Sequence, residues 1–377
     1  MTSRTTDVAV VGASTAGLAT ALGLARSGVD VTVLDTVPAP RLPWTAVHHW
    51  SVLPVLEGLG VLDDALLAGE ATAHWGLHVL ATGERHVYDV RELGPEVRLP
   101  FNLRLEPAAL RGILRAALFA LPNVEVIDDV HLETLRQHEE TVDLLLDGGA
   151  SGPQSLRARW VVGADGPASA VRRHAGLAFE GTTWTERCVV ALVRHDFGAM
   201  GYSDTTFQID GHRGAVVERA GHHTWRYLFQ ESLSHEESAV EQRVVEVLEE
   251  VTGTRPEVLE WSAARMHQRS ATSYRSGRVV LVGDAAHVTH PMTGHTSLSG
   301  WCDAATLAPV LTSALAGDPD DAVARWAEQR RRHFLDDAAP ASLGRRNLVA
   351  QIRDPRRLEI ELDAFRRASA GLAAPPF

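Results

Sequence analysis

The hydrophobic pattern is clearest near the N-terminus, where residues 7–35 predict a strand, a helix and a second strand. Residues 8–11 form a short apolar run rich in β-branched side chains, which is typical of a strand buried on both faces. Residues 15–26 place small and aliphatic side chains at helical spacing. Residues 29–34 form a second apolar run that ends at Asp35. The pattern therefore predicts a βαβ unit at the start of the chain.

The residues that connect these elements suit the binding of a dinucleotide. Gly12 allows a sharp turn after the first strand, and Gly17 allows the helix to pack close to that strand. The helix N-terminus directs free N–H groups toward a pyrophosphate, while Asp35 could accept hydrogen bonds from ribose hydroxyls. Ser14 replaces the middle glycine of the G-x-G-x-x-G pattern, so its Cβ would crowd the diphosphate although its hydroxyl could donate to it. A βαβ unit that only packs is the alternative.

Patterns further along predict a mixed α/β chain with a β-rich stretch in its middle. Helices are predicted where apolar residues recur every three to four positions: 50–68, 105–121, 236–252, a long helix that opens at 303, 322–334 and the amphipathic segment 351–370. Strands are predicted where β-branched runs or alternation occur: 73–90 with a turn at 81–83, 124–127, 132–146, 160–162, several runs between 177 and 264, and 279–282. Residues 36–45 contain three prolines and are predicted to form a loop.

Two later strands also end in loops that carry an acid between small residues. The strand at 160–162 runs into the sequence GADG, and the strand at 279–282 runs into GDAAH. Such loops let the backbone approach a ligand closely. Ordinary strand–turn–helix connections are the alternative interpretation.

Composition narrows the classes of function. At 377 residues the chain suits two domains that share an interface, and an apolar fraction of 45% is ordinary for a globular protein. The 48 acidic residues outnumber the 36 basic ones and give a formal net charge of −12. This balance argues against non-specific binding to nucleic acid or to an anionic membrane.

Cysteine and histidine usage predicts neither a disulfide framework nor a metal site. Cys188 and Cys302 are the two cysteines, and neither has zinc-binding spacing. The histidine pairs at 48–49 and 222–223 lack a third ligand at metal-binding spacing. The first strand begins too early to leave room for a signal peptide, and no apolar run reaches transmembrane length. We therefore expect a cytoplasmic protein that acts on a small molecule as a monomer or homodimer.

Taken together, three stretches of the chain resemble the class A FAD-dependent aromatic hydroxylase family of single-component flavoprotein monooxygenases. The resemblance is carried by GASTAG with Asp35, by VVGADGPASAVRR, and by RVVLVGDAAHVTHP followed by DAATLAPVL. It covers nearly the whole chain in order. It implies an α/β fold in which a Rossmann-like FAD-binding domain of the GR2 type holds an inserted, mostly antiparallel β-sheet substrate domain and carries C-terminal helices.

The resemblance also implies where the two domains lie. The FAD-binding domain with the C-terminal helices would comprise residues 1–75, 100–175 and 265–377. The β-rich substrate domain would comprise residues 76–99 and 176–264. No separate nicotinamide domain is visible, in keeping with the family, and NAD(P)H is expected as a co-substrate.

A set of cofactor-binding residues follows from the same resemblance. The diphosphate would lie against the N-terminal turn, Asp35 would hold the adenosine ribose, Asp284 would bind the ribityl chain, and the loop after Pro291 would border the flavin ring. Arg41 could reach the adenosine or diphosphate end, although a solvated arginine is an equal alternative. The residues expected to bind FAD are Gly12, Ala13, Ser14, Gly17, Asp35, Arg41, Arg104, Asp165, Gly166, Gly283, Asp284, Pro291 and Gly294.

The sequence departs from the family at the flavin loop. Where the family reads P-x-x-G-x-G-x-N, this chain has Thr296 at the second glycine and Leu298 at the asparagine. Side chains there would crowd the ring or tilt the loop, although a shift of register by one residue could restore part of the contact. The usual arginine before the middle helix aligns with Pro107, and Arg104 is the nearest substitute. Tight binding of FAD is therefore left open at this point.

The resemblance implies a monooxygenase that is reduced by NAD(P)H and acts through a flavin C4a-hydroperoxide. It would hydroxylate or epoxidise an aromatic or polycyclic substrate of the natural-product type. The altered flavin loop motivates an alternative, in which the scaffold catalyses a non-redox cyclisation, dehydration or isomerisation with FAD structural or lost. A non-catalytic binding protein on the same fold is a third possibility.

The sequence offers candidates for a catalytic acid or base and does not choose among them. The substrate pocket would draw on residues 44–50, 205–210 and 225–231, which are aromatic and apolar with a few polar groups. Histidine suits acid–base work because its pKa lies near working pH. The candidates, each of which could equally be a satisfied polar residue, are His48, His49, Tyr227, His287 and His295.

Overall fold

The architecture follows from two large sheets with helices packed around them. The computed structural model describes residues 4–35, 42–95, 97–148, 152–317, 321–350, 356 and 359–360. Arg41 and almost all of the predicted segment 351–370 lie outside the described residues.

The strands come in chain order, with most of the longer ones in the second half. They are β1 (Arg4–Val11), β2 (Val31–Leu34), β3 (Val47–His48), β4 (Glu70–Thr72), β5 (His74–Val79), β6 (Glu84–Asp89), β7 (Asn102–Arg104), β8 (Val124–Ile127), β9 (His131–Gln137), β10 (Val142–Asp147), β11 (Pro153–Gly163), β12 (Phe179–Arg194), β13 (Thr205–Ile209), β14 (Ala215–Arg219), β15 (Thr224–Ser232), β16 (Glu257–Ala271), β17 (Arg275–Ser276), β18 (Val279–Leu281) and β19 (His287–Val288).

The helices alternate with the strands in the first half and dominate the C-terminal part. They are α1 (Thr15–Arg26), α2 (Leu53–Gly58), α3 (Leu62–Ala68), α4 (Pro107–Phe119), α5 (Ala170–His174), α6 (Val240–Thr252), α7 (His295–Leu315), α8 (Asp321–His333) and α9 (Ala339–Ala350). Short 3₁₀ turns occur at Trp50–Val52, Val90–Leu93, Glu237–Ala239, Gly283–Ala285 and Pro291–Thr293, and one π-helical turn occurs at Phe334–Ala338.

The first sheet is built around β1. Its order is β17-β18-β11-β1-β2-β8, with β10 and β9 continuing from β11. β1 pairs in parallel with β2 and β11, so that Val10 lies between Val33 and Val162. Helix α1 packs on this sheet and so closely against α7 that a Cβ on Gly23 would lie 2.9 Å from the Cβ of Ala308. The predicted βαβ unit is present, and its strands are buried on both faces.

The second sheet is mostly antiparallel, and its two faces pack against different parts of the chain. Its order is β19-β16-β12-β15-β14-β13-β5-β6, and only the β13–β5 pair among these is parallel. On one face, apolar residues such as Tyr227 pack under α6 in a closed core. The opposite face carries Leu228 and Phe207 toward Met292 and α9. Because side chains alternate along a strand, neighbouring residues of β15 lie on opposite faces of the sheet.

Two long strands connect the sheets. β12 and β16 pair from Phe179 opposite Ala271 to Arg194 opposite Glu257, with a break in register between Thr183 and Arg187. Ala271 belongs to the same buried core as β1. The division into two domains stays a prediction, and the strands of the second sheet extend beyond the boundaries it used.

Helix α7 begins earlier than predicted, at His295 rather than at Asp303. Gly294, with φ +75°, provides the left-handed residue that precedes the helix, and the turn Pro291–Thr293 comes before it. The first turns of α7 contain glycine, serine and threonine, whose intrinsic helix propensity is low. Packing of α7 against α1 stabilises these turns, and the sequence pattern alone does not show this.

Candidate functional site

The turn after β1 requires glycine at both predicted positions. Gly12 has φ +107°, and a Cβ there would lie 2.4 Å from the carbonyl oxygen of Ala164. A Cβ on Gly17 would lie 2.2 Å from the carbonyl oxygen of Gly12. Either side chain would collide with backbone that cannot move cheaply. These two glycines therefore bring the N-terminus of α1 against the ends of β1 and β11.

Ser14 is the residue that caps α1. Its Oγ accepts a hydrogen bond from the N–H of Gly17 at 3.2 Å, which is the usual role of a serine at this position. The hydroxyl hydrogen stays available, because a hydroxyl that accepts can still donate. Ala13 beside it is buried. The serine thus supports the helix start, which the dinucleotide pattern alone did not predict.

Asp35 lies at the end of β2 and is held by two arginines of α4. Its Oδ2 accepts from Nη1 of Arg115 at 2.9 Å and from Nη2 of Arg111 at 3.5 Å. Arg115 also pairs with Asp128. The sequence analysis missed both arginines, although their spacing of four residues on one predicted helix places them on the same face. The carboxylate is thereby fixed in orientation at the tip of the strand.

Asp165 and Gly166 shape the loop after β11. Asp165 Oδ2 accepts from the N–H groups of Ala170 at 2.7 Å and Val171 at 3.1 Å, and its other oxygen contacts Ser169. The carboxylate therefore stabilises the start of α5. Gly166 has φ +80°, which favours glycine. The described hydrogen bonds of the Asp165 carboxylate are thus all with residues of the same loop and the start of α5.

The turn Gly283–Ala285 is anchored by a buried ionic network. Asp303 of α7 accepts from the N–H of Gly283 at 3.0 Å, from Nε2 of His287 at 2.7 Å and from Nε of Arg330 at 2.9 Å. Asp303 is fully buried, which by itself would raise the pKa of its carboxyl. The charge and hydrogen bond of His287, followed by those of Arg330, outweigh burial and lower the pKa to about 2.

Asp284 makes no hydrogen bond to this network among the described residues. Its side chain is reached by solvent, and no donor to its carboxylate is found among the residues that the structure describes. Protein nevertheless surrounds it closely enough that desolvation raises the pKa of the carboxyl, with His287 opposing. The end of β18 thus presents an accessible carboxylate without a protein donor, and the neighbouring Gly283 lies against the first turns of α1 and α7.

The two unusual side chains of the predicted flavin loop, Thr296 and Leu298, make contacts within the protein. Thr296 Oγ1 accepts from the N–H of Thr289 at 2.7 Å and pairs with the Thr289 hydroxyl at 2.8 Å. Leu298 packs against the main core. No side-chain cap closes the first turn of α7 after Gly294, and that turn contains no acidic residue. Its backbone N–H groups are therefore the groups presented by this loop.

The Arg104 side chain contacts residues outside the predicted FAD site. Its guanidinium contacts Glu70 and donates to the carbonyl oxygen of Arg219 at 3.3 Å, on the side of the second sheet. None of its described contacts is with the turn at Gly12 or with Asp284. Pro107 opens α4, as expected for proline in a first helical turn.

Three of the acid–base candidates lie in closed surroundings. Tyr227 is in the core under α6, where its hydroxyl accepts from Nε2 of Gln208 at 2.8 Å and burial raises its pKa far above the ordinary value. His287 is the buried partner of Asp303. His48 is buried with Nε2 donating to the carbonyl oxygen of Leu105 at 3.1 Å, and burial lowers its pKa to about 4. These hydrogen bonds hold all three side chains inside the fold, although Nδ1 of His287 is buried without a partner among the described residues. A catalytic role for them stays a prediction.

The remaining two candidates, His49 and His295, come together beside Arg345. Burial and then the charge of Arg345 lower the pKa of His49 to about 4 and that of His295 to about 3. His49 keeps an exposed edge, and its Nδ1 accepts from the N–H of Ser51. Burial lowers the pKa of Arg345 to about 10, so that it stays charged at neutral pH. The site thus offers neutral imidazoles next to a fixed cation.

Aromatic residues from three segments line the neighbouring face of the second sheet. Trp44, Trp184 and Phe207 pack with Met292 in one cluster. The segments around Trp44 and Phe207 were predicted to form the pocket, whereas Trp184 was not. The sequence analysis also missed His290, which is buried beside Trp184.

Comparison with known proteins decides the family. The sequence profile of a family described as "FAD binding domain" matches residues 5–342. The chain belongs to the class A FAD-dependent aromatic hydroxylases.

Relatives of this class A hydroxylase support the assignment over most of the chain. It is 37% identical over 351 residues to 6-hydroxy-3-succinoylpyridine 3-monooxygenase HspB of Pseudomonas putida, covering 91% of this chain and 89% of the relative. It is 32% identical to para-nitrophenol 4-monooxygenase of a Pseudomonas species, covering 89% and 85%. The crystal structure of p-nitrophenol 4-monooxygenase PnpA from Pseudomonas putida superposes with a TM-score of 0.91 at 31% identity, covering 97% of this chain and 94% of that one.

FAD is the cofactor of class A hydroxylases, and the described residues fit it. The glycine turn at Gly12 and Gly17 leaves no room for side chains between α1 and the sheet. Asp284 presents a carboxylate without a donor, as a ribityl hydroxyl would require. The uncapped N–H groups at the start of α7 would suit an electron-rich ring edge. Of the helices that the structure describes, none combines the length and apolar character needed to cross a bilayer.

Proposed function

We propose that this flavin monooxygenase hydroxylates a single-ring aromatic or nitrogen-heteroaromatic compound, with FAD held between the glycine turn and the start of α7. The observation that carries the cofactor site is Asp284, whose accessible carboxylate has no donor among the described residues. The relatives' names, a succinoylpyridine and a nitrophenol monooxygenase, support a single ring as the substrate.

Each part of the cofactor would meet a different element. The diphosphate would face the N-terminus of α1 after Gly12, where N–H groups and the helix dipole favour an anion. Asp35 would accept from the adenosine ribose, with Arg111 and Arg115 fixing its orientation. Asp284 would accept from the ribityl chain. When bound and reduced by NAD(P)H, FAD supplies the activation of dioxygen for transfer of one oxygen atom.

The residues of the pocket would orient the ring and exclude water. Trp44, Trp184 and Phe207 offer aromatic faces, which favour a flat apolar ring. His49 and His295 are neutral above about pH 5 because their pKa values lie near 4 and 3. They therefore act as hydrogen-bonding groups and contribute no strong acid to the site. The side chains of Thr296 and Leu298 motivated a non-redox alternative. They contact Thr289 and the main core, and these contacts give that alternative no support.

Substitution of Asp284 tests the cofactor site. We expect Asp284→Ala to lose FAD during desalting, seen as loss of the visible flavin bands, and to lose NAD(P)H oxidation stimulated by 4-nitrophenol. The reason is that a carboxylate–hydroxyl hydrogen bond contributes roughly 1.5–3 kcal/mol. Glu328→Ala is the control, because Glu328 is exposed and pairs only with Arg332 in the described part of α8. If Asp284→Ala keeps both FAD and activity, the proposed site is wrong.

A further inference from the structure

Thr293, in the turn before α7, is held by α9, a helix much later in the chain. The Thr293 hydroxyl donates to the carbonyl oxygen of His290 at 2.9 Å. A hydroxyl has one hydrogen, so in the 2.8 Å contact between Thr293 Oγ1 and Ser342 Oγ it is Ser342 that donates. Both side chains are buried. The direction of each hydrogen bond is therefore fixed.

The carbonyl group of Thr293 is held by the same helix. Nη1 of Arg345 donates to the carbonyl oxygen at 3.2 Å. Burial lowers the pKa of Arg345 to about 10, which leaves the guanidinium charged at neutral pH. The next residue is Gly294, the left-handed glycine at which α7 starts. Contacts from α9 therefore fix both the side chain and the carbonyl of the residue before this helix start.

The opposite end of α9 is attached to the second sheet. The carbonyl oxygen of Val349 accepts from the N–H of Asp210 at 3.1 Å. The two segments approach so closely that a Cβ on Gly214 would lie 2.0 Å from the same oxygen. Val349 also packs in one cluster with Leu228 of β15. Helix α9 thus links the second sheet to the turn before α7.

We propose that Ser342 and Arg345 are positioning residues, which hold Thr293 and thereby set the start of α7 against the ring of FAD. The inference rests on the proposed function, which puts FAD beside that helix start, and adds the residues that keep it in place. Ser342 is the last residue that the family profile matches, and Arg345 lies beyond it.

The effect should depend on the redox state of the flavin. The ring gains negative charge when it accepts a hydride from NAD(P)H, and the N–H groups of a helix N-terminus favour negative charge. A displaced start of α7 would therefore weaken the binding of reduced FAD more than the binding of oxidised FAD. The midpoint potential of bound FAD would fall as a result.

The test uses the full chain and measures bound FAD by flavin fluorescence and by redox titration. Ser342→Ala removes the donor, and Thr293→Val removes the acceptor with little change of shape. Each should raise the Kd for oxidised FAD about three- to tenfold, the ratio expected for the loss of one hydrogen bond. A further three- to tenfold loss for reduced FAD would lower the midpoint potential by about 15–30 mV. The double variant should show no more than the effect of Thr293→Val, because both changes break the same bond.

Two further variants and a control complete the test. Arg345→Met should shift the potential in the same direction, and Arg345→Lys, which keeps a charged donor, should recover part of the shift. Thr252→Val is the matched control, since it removes a hydroxyl that donates to the carbonyl oxygen of Leu248 at 2.8 Å in α6. It should leave the Kd and the potential of FAD unchanged, because α6 covers the other face of the second sheet.

Three results would overturn the inference while the wild type binds FAD. They are an unchanged midpoint potential in Ser342→Ala, additive effects of Ser342→Ala and Thr293→Val, and an equal shift in Thr252→Val. A loss of thermal stability without a change in potential is the first of these results and indicates a purely structural contact. Failure of the proposed function differs from all three, because the wild type itself would then retain no FAD, and this inference would fall with it.

Discussion

Asp303 offers the sharpest test of how the site is held together, and Asp303→Asn is the change we would make. The substitution keeps the shape of the side chain and removes its charge. It leaves Arg330 and His287 without their buried anion, and it presents an amide in a place where three donors converge. The N–H of Gly283, next to the proposed FAD ligand Asp284, loses its partner or shares a weaker one.

The magnitude can be worked out in two ways. Removing one partner of a buried ion pair costs about 3–5 kcal/mol. Independently, the pKa of Asp303 falls from 3.8 to about 2, which corresponds to about 2 kcal/mol of stability at neutral pH. The first figure is larger because the substitution also leaves Arg330 buried without its counter-charge. We therefore expect Asp303→Asn to lower the free energy of unfolding by about 3 kcal/mol or more at pH 6.

The sign of the pH dependence is fixed by the same shift. Because the folded pKa is depressed, the contribution is complete above the unfolded pKa of 3.8 and disappears as the pH falls toward about 2. Urea unfolding followed by circular dichroism should show the gap between wild type and Asp303→Asn narrowing by about 1 kcal/mol from pH 6 to pH 3. Glu328→Gln, which removes an exposed ion pair, should change stability by less than about 1 kcal/mol. A gap for Asp303→Asn no larger than this control, or one that widens at low pH, would refute the reasoning.

Three further substitutions test other parts of the structure. Gly12→Ala should prevent FAD retention and destabilise the fold by about 3 kcal/mol, since its Cβ meets the carbonyl oxygen of Ala164 at 2.4 Å; flavin content and thermal unfolding measure both effects. Tyr227→Phe should lower stability by about 1 kcal/mol, because the amide of Gln208 loses its acceptor, and should leave kcat unchanged; a large fall in kcat would restore the tyrosine as a catalytic candidate. Thr296→Gly, which restores the family glycine, should weaken FAD binding in a titration followed by flavin fluorescence, because a backbone N–H loses the acceptor that shapes the loop; tighter binding would contradict this.

The sequence predicted those elements whose cause is local. The strand, turn and helix from Val8 to Arg26 follow from apolar runs and two glycines, and the structure has them in place. The start of α7 was placed too late because its serine, threonine and glycine residues form a helix only when packed against α1. Local propensity carries no information about that neighbour.

The sequence mainly failed to predict which side chains contact one another in the fold. The sequence indicated that Asp35 ends a strand, but only the fold brings the arginines of α4 to it. Tyr227 looked like a pocket residue because it lies in an aromatic strand, and the alternation of β15 decides that it faces α6 instead. Thr293 and Ser342 are 49 positions apart in the chain, so no spacing rule connects them. Contacts of this kind depend on the path of the whole chain.

The pairing of β12 with β16 has a consequence for how the molecule can move. This ribbon starts at Phe179 opposite Ala271, inside the main core, and ends at Arg194 opposite Glu257 at the far side of the second sheet. Hinged enzymes open about a few loop residues, whereas here a swing between the sheets would have to bend two long paired strands, whose register breaks between Thr183 and Arg187 and again between Leu192 and Val193. We therefore expect the two cores to fluctuate together, and ligands to enter and leave through rearrangement of loops without any wide opening of the body.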